Sequence, residues 1–197
     1  MNHLARFMAT PRVGDCAGVR RLLRYLRGKP ICRIRFERQP ICTDLVVYSD
    51  SDWAGCKVTR KSTSGTVLFL GKHLLSFACR LQKSVALSSG EAELVAQTAG
   101  VGDALGVRNL LSEFGIHSSI LSLCDSSAAR GICNRSGVGR LRHLELRHLW
   151  IQGYVRSGVV VVRWISRREN PSDALTHVAS GEEFWRHMIA LHLVFSS

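Results

Sequence analysis

An α/β fold with one mixed sheet is predicted from three observations. Short apolar runs alternate with helical stretches along most of the chain. Two of those runs, at 45–50 and 120–125, end in an aspartate. Two of the early runs, 64–71 and 73–80, are separated only by a Gly71-Lys72 turn, so a hairpin precedes the alternating part.

The elements follow in order. Residues 15–28 read as a basic amphipathic helix: Val19, Leu22, Leu23 and Leu26 recur at helical spacing, and Arg20, Arg21, Arg24 and Arg27 fill the other faces. Asp15 is the expected N-cap, and Gly28-Lys29-Pro30 the stop. Packing by the leucine stripe is favoured over a phosphate-tracking or membrane-surface role. After the strand 45–50 and the hairpin comes a long helix over 88–114. Ser88 and Glu91 fit a capping box there, and Val107, Leu110, Leu111 and Phe114 form an apolar face. Gly100, Gly102 and Gly106 weaken that helix or let it approach the sheet closely. The strand 120–125, a short helix after it and a helix over 141–155 come next. The apolar run 159–166 suits a strand buried on both faces. Asn170-Pro171-Ser172-Asp173 is expected to open a final helix.

With 197 residues and 46% hydrophobic composition, the chain can bury the core of one domain with an appendage. Its 27 Lys and Arg against 15 Asp and Glu give a net charge of +12, which points to a polyanionic partner, nucleic acid first. Seven cysteines without a Cys-x-x-Cys pair argue against a zinc module and a disulfide framework; reduced, mostly buried thiols are expected. His143 and His148, five apart, do not share a helical face. No apolar run reaches the length of a membrane span, and the N-terminus does not read as a signal peptide.

Four acids stand where chemistry would use them. Asp50 and Asp125 end strands, where α/β sheets build sites. Glu93 lies in the first turns of the long helix, and Asp173 near the start of the last. Clustered carboxylates of this kind suit hard divalent cations. Spacing alone does not choose between Asp50 and Asp52 as the first ligand. A solvated turn residue remains the commoner use of any single aspartate.

Several ordered motifs then become specific: YSDSDWAG at 48–55, RKSTSGTVLFLG at 60–71, LQKSVALSSGEAELVA at 81–96 and LCDSSAA at 123–129. RHLELRHLWIQGYV at 142–155 and WISRRENPSDALTH at 164–177 continue the series. Together they resemble the ribonuclease H domain of copia-type LTR retrotransposon Pol polyproteins. RFMATP at 6–11 and RRLLRYLRG at 20–28 resemble the end of the preceding reverse transcriptase region. The resemblance implies a ribonuclease H-like fold, a five-stranded mixed sheet flanked by helices and preceded by the basic helix. It divides the chain into a reverse transcriptase remnant at 1–39, the ribonuclease H-like domain at 40–180 and a C-terminal tail at 181–197. It implies cleavage of the RNA strand of RNA–DNA hybrids with two Mg²⁺ ions, or Mn²⁺, held by Asp50, Glu93, Asp125 and Asp173.

Arg60, Lys61, Ser62 and Thr63 are the expected phosphate contacts, and Trp53 is expected to be half-buried packing or, less often, a stacking platform. The resemblance also implies a reverse transcriptase partner, no membrane and a cytoplasmic setting. The family's usual Lys-His-Ile-Asp reads Arg142-His143-Leu144-Glu145, and its Leu-Thr-Lys reads Leu175-Thr176-His177. Two rival readings are an inactive nucleic-acid-binding remnant and a structural piece that works only beside its polymerase.

Overall fold

The computed structural model describes residues 2–5, 8–29, 31–137, 139 and 146–196. Helices α1 (Asn2–Ala5) and α2 (Val13–Gly28) precede strand β1 (Ile31–Ile34). Strands β2 (Asp44–Ser51), β3 (Thr63–Leu70) and β4 (His73–Leu81) form a meander, followed by helix α3 (Ser89–Glu113). Strand β5 (Ser119–Cys124), α4 (Ser127–Cys133), α5 (Trp150–Arg156) and β6 (Val160–Trp164) follow. Two short 3-10 turns, Arg167–Glu169 and Pro171–Leu175, lead to α6 (Gly181–Ala190) and β7 (Leu193–Ser196).

The main sheet has the order β4-β3-β2-β5-β6. The meander is antiparallel, while β5 and β6 run parallel to their neighbours. This is the predicted α/β architecture, with β2 at the centre. Strand alternation sorts side chains to two faces. Leu45 and Val47 point into the larger core with Leu94, Val101, Ile120, Ile132, Ile151 and Val160, beneath α3, α4 and α5. Val67, Phe69, Leu74 and Leu191 make a smaller core on the other face.

Helix α3 begins where Ser88 accepts the Glu91 amide at 3.2 Å. The Glu91 carboxylate reaches back one residue further than a capping box would, to the Leu87 amide at 2.8 Å. The helix buries Leu94 and Val101 together with the small residues Ala92, Ala96 and Ala104; of the expected apolar face, Val107 and Leu111 pack against the core, while Leu110 and the C-cap residue Phe114 are exposed. Gly100 lets this face come close to the sheet. A Cβ there would meet Val47 Cγ1 at 2.7 Å, so the bare backbone lies directly on the sheet. Gly102 and Gly106 have open space around them.

Several other expectations are corrected. Asp15 is the third residue of α2, not its cap: its carboxylate accepts the Arg12 amide at 2.9 Å. The apolar stripe of α2 is mostly exposed: Val19, Leu23 and Leu26 face solvent and only Leu22 is partly buried. Strand β6 is an edge strand with Val161 and Trp164 exposed, so its apolar run marks one buried face, not two. Asp173 lies in a 3-10 turn, capped when Asn170 Oδ1 accepts the Ser172 amide at 3.2 Å. The true helix starts eight residues later, at Gly181, behind a capping box of Ser180 and Glu183. Residues 181–196, expected as a tail, form α6 and β7, and β7 pairs antiparallel with β1. Of the seven cysteines, only Cys124 and Cys133 are buried; Cys16 and Cys32 are exposed. His143 and the motif around it lie outside the described residues, and the start of the expected 141–155 helix lies there too.

Candidate active site

Asp50 is the hub. It sits on the last full turn of the β2 pleat, 3% exposed, with its carboxylate on the face opposite Val47. One carboxylate oxygen each from Asp50, Glu93 and Asp125 lie within 4.8 Å of one another. Asp50, Asp173 and His177 form a second group by the same measure. The four acids expected from the sequence are therefore brought together, from β2, α3, the end of β5 and the turn before α6.

Local structure explains each position. Asp125 follows the last residue of β5, which lies parallel to β2, so both strands deliver an aspartate to the same sheet end. Glu93 comes from the first turns of α3, and its Oε1 accepts the Ser51 amide at 3.3 Å. Gln82 braces this corner: its side-chain amide donates to Ser51 Oγ, Ser64 Oγ and the Ala92 carbonyl at 2.9–3.2 Å. The turn carrying Asp173 packs on Gly65 of β3, directly opposite Asp50 in the register. A Cβ at Gly65 would stand 2.8 Å from the Ser172 carbonyl oxygen, so only glycine lets that turn come so close. Buried Asn170 ties the same turn to the sheet by donating to the Ser49 carbonyl at 3.0 Å.

Asp50 and Asp52 are placed differently. The Asp52 carboxylate accepts the Thr63 amide and folds over Gly55, so it shapes the 53–62 loop and lies outside both groups.

The electrostatics suit a cation. Burial, and then the charges of Asp50 and Asp125, push the Glu93 carboxyl up to about 9. Burial likewise raises Asp50; a hydrogen bond from Thr176 and the nearness of His177 oppose the rise, and Asp125 and Asp173 add to it. Glu93 Oε2 is buried without a hydrogen-bond partner. Buried polar atoms rarely stay unsatisfied unless something else occupies them. Hard cations bind oxygen donors of this kind, so the residues fit one or two divalent ions.

His177 is the site residue that sequence reasoning missed. Its Nε2 lies 3.6 Å from Asp50 Oδ2 and 3.9 Å from Asp173 Oδ1. The signal was present, as the histidine standing where the family's usual motif has lysine. Asp173 also accepts a 2.9 Å bond from Arg167 Nε and faces His187 Nε2 at 3.8 Å.

No protein-family model matches the chain. It is 33% identical over 187 residues to the retrovirus-related Pol polyprotein from transposon RE1 of Arabidopsis thaliana, an alignment covering 93% of this chain. It is 32% identical over 194 residues, 96% of its length, to the corresponding polyprotein from transposon TNT 1-94 of Nicotiana tabacum. The chain belongs to the copia-type Pol polyprotein family. It spans only 13% and 14% of the length of those two relatives. The N-terminal RNase H domain of a Mycobacterium tuberculosis protein superposes with a TM-score of 0.51 at 18% identity, over 75% of this chain and 96% of that one. The fold of this Pol segment is thus ribonuclease H-like.

Among the expected phosphate contacts of the Pol segment, Arg60 is exposed and Lys61 partly so. Ser62 is fully buried, and its hydroxyl accepts the Ala54 amide at 2.9 Å, so it shapes the loop and does not face solvent. Thr63 is half-buried as the first residue of β3. Trp53 is 58% exposed, not half-buried; its indole N–H donates to the Ala86 carbonyl at 3.3 Å, which holds the ring at the rim. Among the described residues, no helix is long and apolar enough to cross a membrane.

Proposed function

We propose that this Pol segment is a divalent-cation-dependent endonuclease that hydrolyses the RNA strand of RNA–DNA hybrids. The observation that carries the reading is the convergence of Asp50, Glu93, Asp125 and Asp173 from four separate elements, with Asp50 shared by two ligand groups. Asp50, Glu93 and Asp125 would hold one Mg²⁺ or Mn²⁺ ion, and Asp50, Asp173 and His177 a second. Such ions, when bound, lower the pKa of an attacking water and stabilise the departing oxygen of a phosphodiester.

The chain's own residues do the rest. Asn170 ties the Asp173 turn to β2, and Gly65 lets it close on β3. Thr176 orients the Asp50 carboxylate by donating to it. Arg60 and Lys61 supply backbone charge beyond the acids, and exposed Trp53 offers a face for a sugar or base. A hybrid would be read by 2′-hydroxyls and groove shape rather than by base edges. In the family's arrangement, residues 1–39 are the end of the reverse transcriptase region and 40–180 the nuclease domain, working beside a polymerase in the cytoplasm.

The test is cleavage of a hybrid labelled on each strand, with Mg²⁺ and then Mn²⁺, by the wild type and by Asp125→Asn. The expected result is cutting of the RNA strand alone, abolished by the substitution. Hybrid bound but uncut with either ion refutes nuclease activity for the chain alone.

A further inference from the structure

The positive charge of this chain is not spread evenly. Residues 1–39 hold ten basic and two acidic side chains, a net charge of +8 out of +12, in a fifth of the sequence. The acid cluster uses none of them. In α2, Arg20, Arg24 and Arg27 recur at i, i+4 and i+7, so they line one face, beside the separate stripe of Val19, Leu23 and Leu26. All three arginines are exposed, as are Arg21, Arg35 and Arg38. The stripe from Arg20 to Arg27 runs about 10 Å along the helix axis. Over that length a nucleic-acid duplex presents about six phosphates, counting both strands.

The arm is placed where such charge bears on the site. Tyr25 packs edge-on against Phe184 of α6, with ring centroids 6.3 Å apart. Lys29 Nζ lies 5.2 Å from the centre of the Trp185 ring. Strand β1 pairs with β7, and the Arg35 amide donates to the His192 carbonyl at 3.0 Å. The arm is thus fastened along α6, the helix whose His187 faces Asp173. Between α6 and the acids lies a cavity of about 470 Å³ lined by Arg167, Arg168 and Arg186 and by the acids Asp173 and Glu183. The arm and the cavity thus share α6, the arm meeting the helix at Phe184 and Trp185 while Arg186 and His187 line the cavity.

We infer that α2 and the strand after it form a second, sequence-independent nucleic-acid clamp, which grips the phosphate backbone of the same duplex beyond the point of cleavage. This rests on the nuclease reading only for the identity of that duplex. Arginine forks match phosphate oxygens, and an exposed cationic stripe gains affinity by releasing condensed counterions. The clamp adds to binding and does not touch the reacting atoms.

The test measures binding separately from cleavage. Hybrid affinity is determined in EDTA over a salt series for the full chain, the R20Q/R24Q/R27Q triple variant, the corresponding Arg→Lys triple and Asp125→Asn. The triple Gln variant is expected to bind at least about tenfold more weakly at low salt. Its plot of log affinity against log salt should be shallower by about 2–3, near 0.9 for each lost phosphate contact. The Lys triple should restore most of the slope, and Asp125→Asn should keep all of it. With the ions added, the Gln triple should raise KM and leave kcat near wild type. An unchanged slope overturns the clamp even where Asp125→Asn abolishes cleavage. A reduced slope in a chain that never cuts leaves the clamp standing and refutes the nuclease reading. A Leu23→Ser, Leu26→Ser variant that loses the same affinity as the Gln triple also overturns it, because the apolar stripe would then be the contact.

Discussion

Replacing Glu93 with glutamine should stabilise the cation-free protein while removing its ability to bind the ion. The Glu93 carboxyl is held up at about 9 in the folded chain, against 4.5 when unperturbed. A raised carboxyl means that the folded state keeps a proton that the unfolded chain releases. Stability from this group is therefore fully present below about pH 4.5 and drains away as pH rises towards 9. At pH 7 keeping this proton costs the folded state about 3 kcal/mol at most, at about 1.36 kcal/mol per pH unit above the unperturbed value. Glutamine carries no such liability, and its Oε1 still accepts the Ser51 amide. For a chain of this size, the ceiling corresponds to a Tm about 6–12 °C higher at pH 7. At pH 4 both proteins are neutral at this position, and the difference should vanish.

The assay is thermal unfolding from pH 4 to 8 in EDTA, repeated with Mg²⁺. The wild type should gain stability with Mg²⁺ by mass action, and the variant should gain far less. A variant less stable than wild type at pH 7 without the ion, or a difference that is the same at pH 4 and pH 7, would refute the account of a frustrated carboxylate cluster.

Other predictions follow from the packing around the site. Gly65→Ala places a methyl against the Ser172 carbonyl and should cost about 1–3 kcal/mol in urea unfolding. Its loss of cleavage should exceed its loss of stability, because the Asp173 turn is displaced. Asn170→Ala should cost about 2–4 kcal/mol, since it strands the buried Ser49 carbonyl and two groups of Ser172; denaturant midpoints test it. Along α3, Gly102→Ala should raise stability by about 0.5–1 kcal/mol. Gly100→Ala should lower it, because its methyl meets Val47; paired melting curves separate the two.

The succession of strands and the acids that come together at their ends were legible because both rest on short-range signals. Alternating apolar residues, a two-residue turn and aspartates at strand ends fix β2, β3, β4 and β5. What escaped was decided by contacts distant in sequence. The run 159–166 reads as doubly buried, but whether another strand lies beyond β6 is a property of the sheet, not of the run. Ser62 looks like a polar loop residue until the Ala54 amide is seen folded onto it. Asp50 and Asp52 share a period-two pattern, and only the departure of the chain from the sheet after Ser51 separates them. Of the expected apolar face of α3, Val107 and Leu111 reach the core but Leu110 and Phe114 do not, because the close approach at Gly100 centres the contact on Leu94, Ala96, Val101 and Ala104. Sequence periodicity records what can be buried; the sheet decides what is.

The pairing of β1 with β7 joins residues more than 150 positions apart. Such a ladder cannot nucleate early, since closing so long a loop from the unfolded chain costs more than four paired residues return. Once the central sheet has formed, its body already brings the two strands near one another, and the closure becomes cheap. The arm is therefore the last piece to dock and the first to leave. Its departure would bare the edges of β1 and β7, including exposed Ile31, Ile34 and Val194, as templates for another chain. In this protein the route into aggregation opens at the seam between the two ends, while the sheet that carries the acids is still intact.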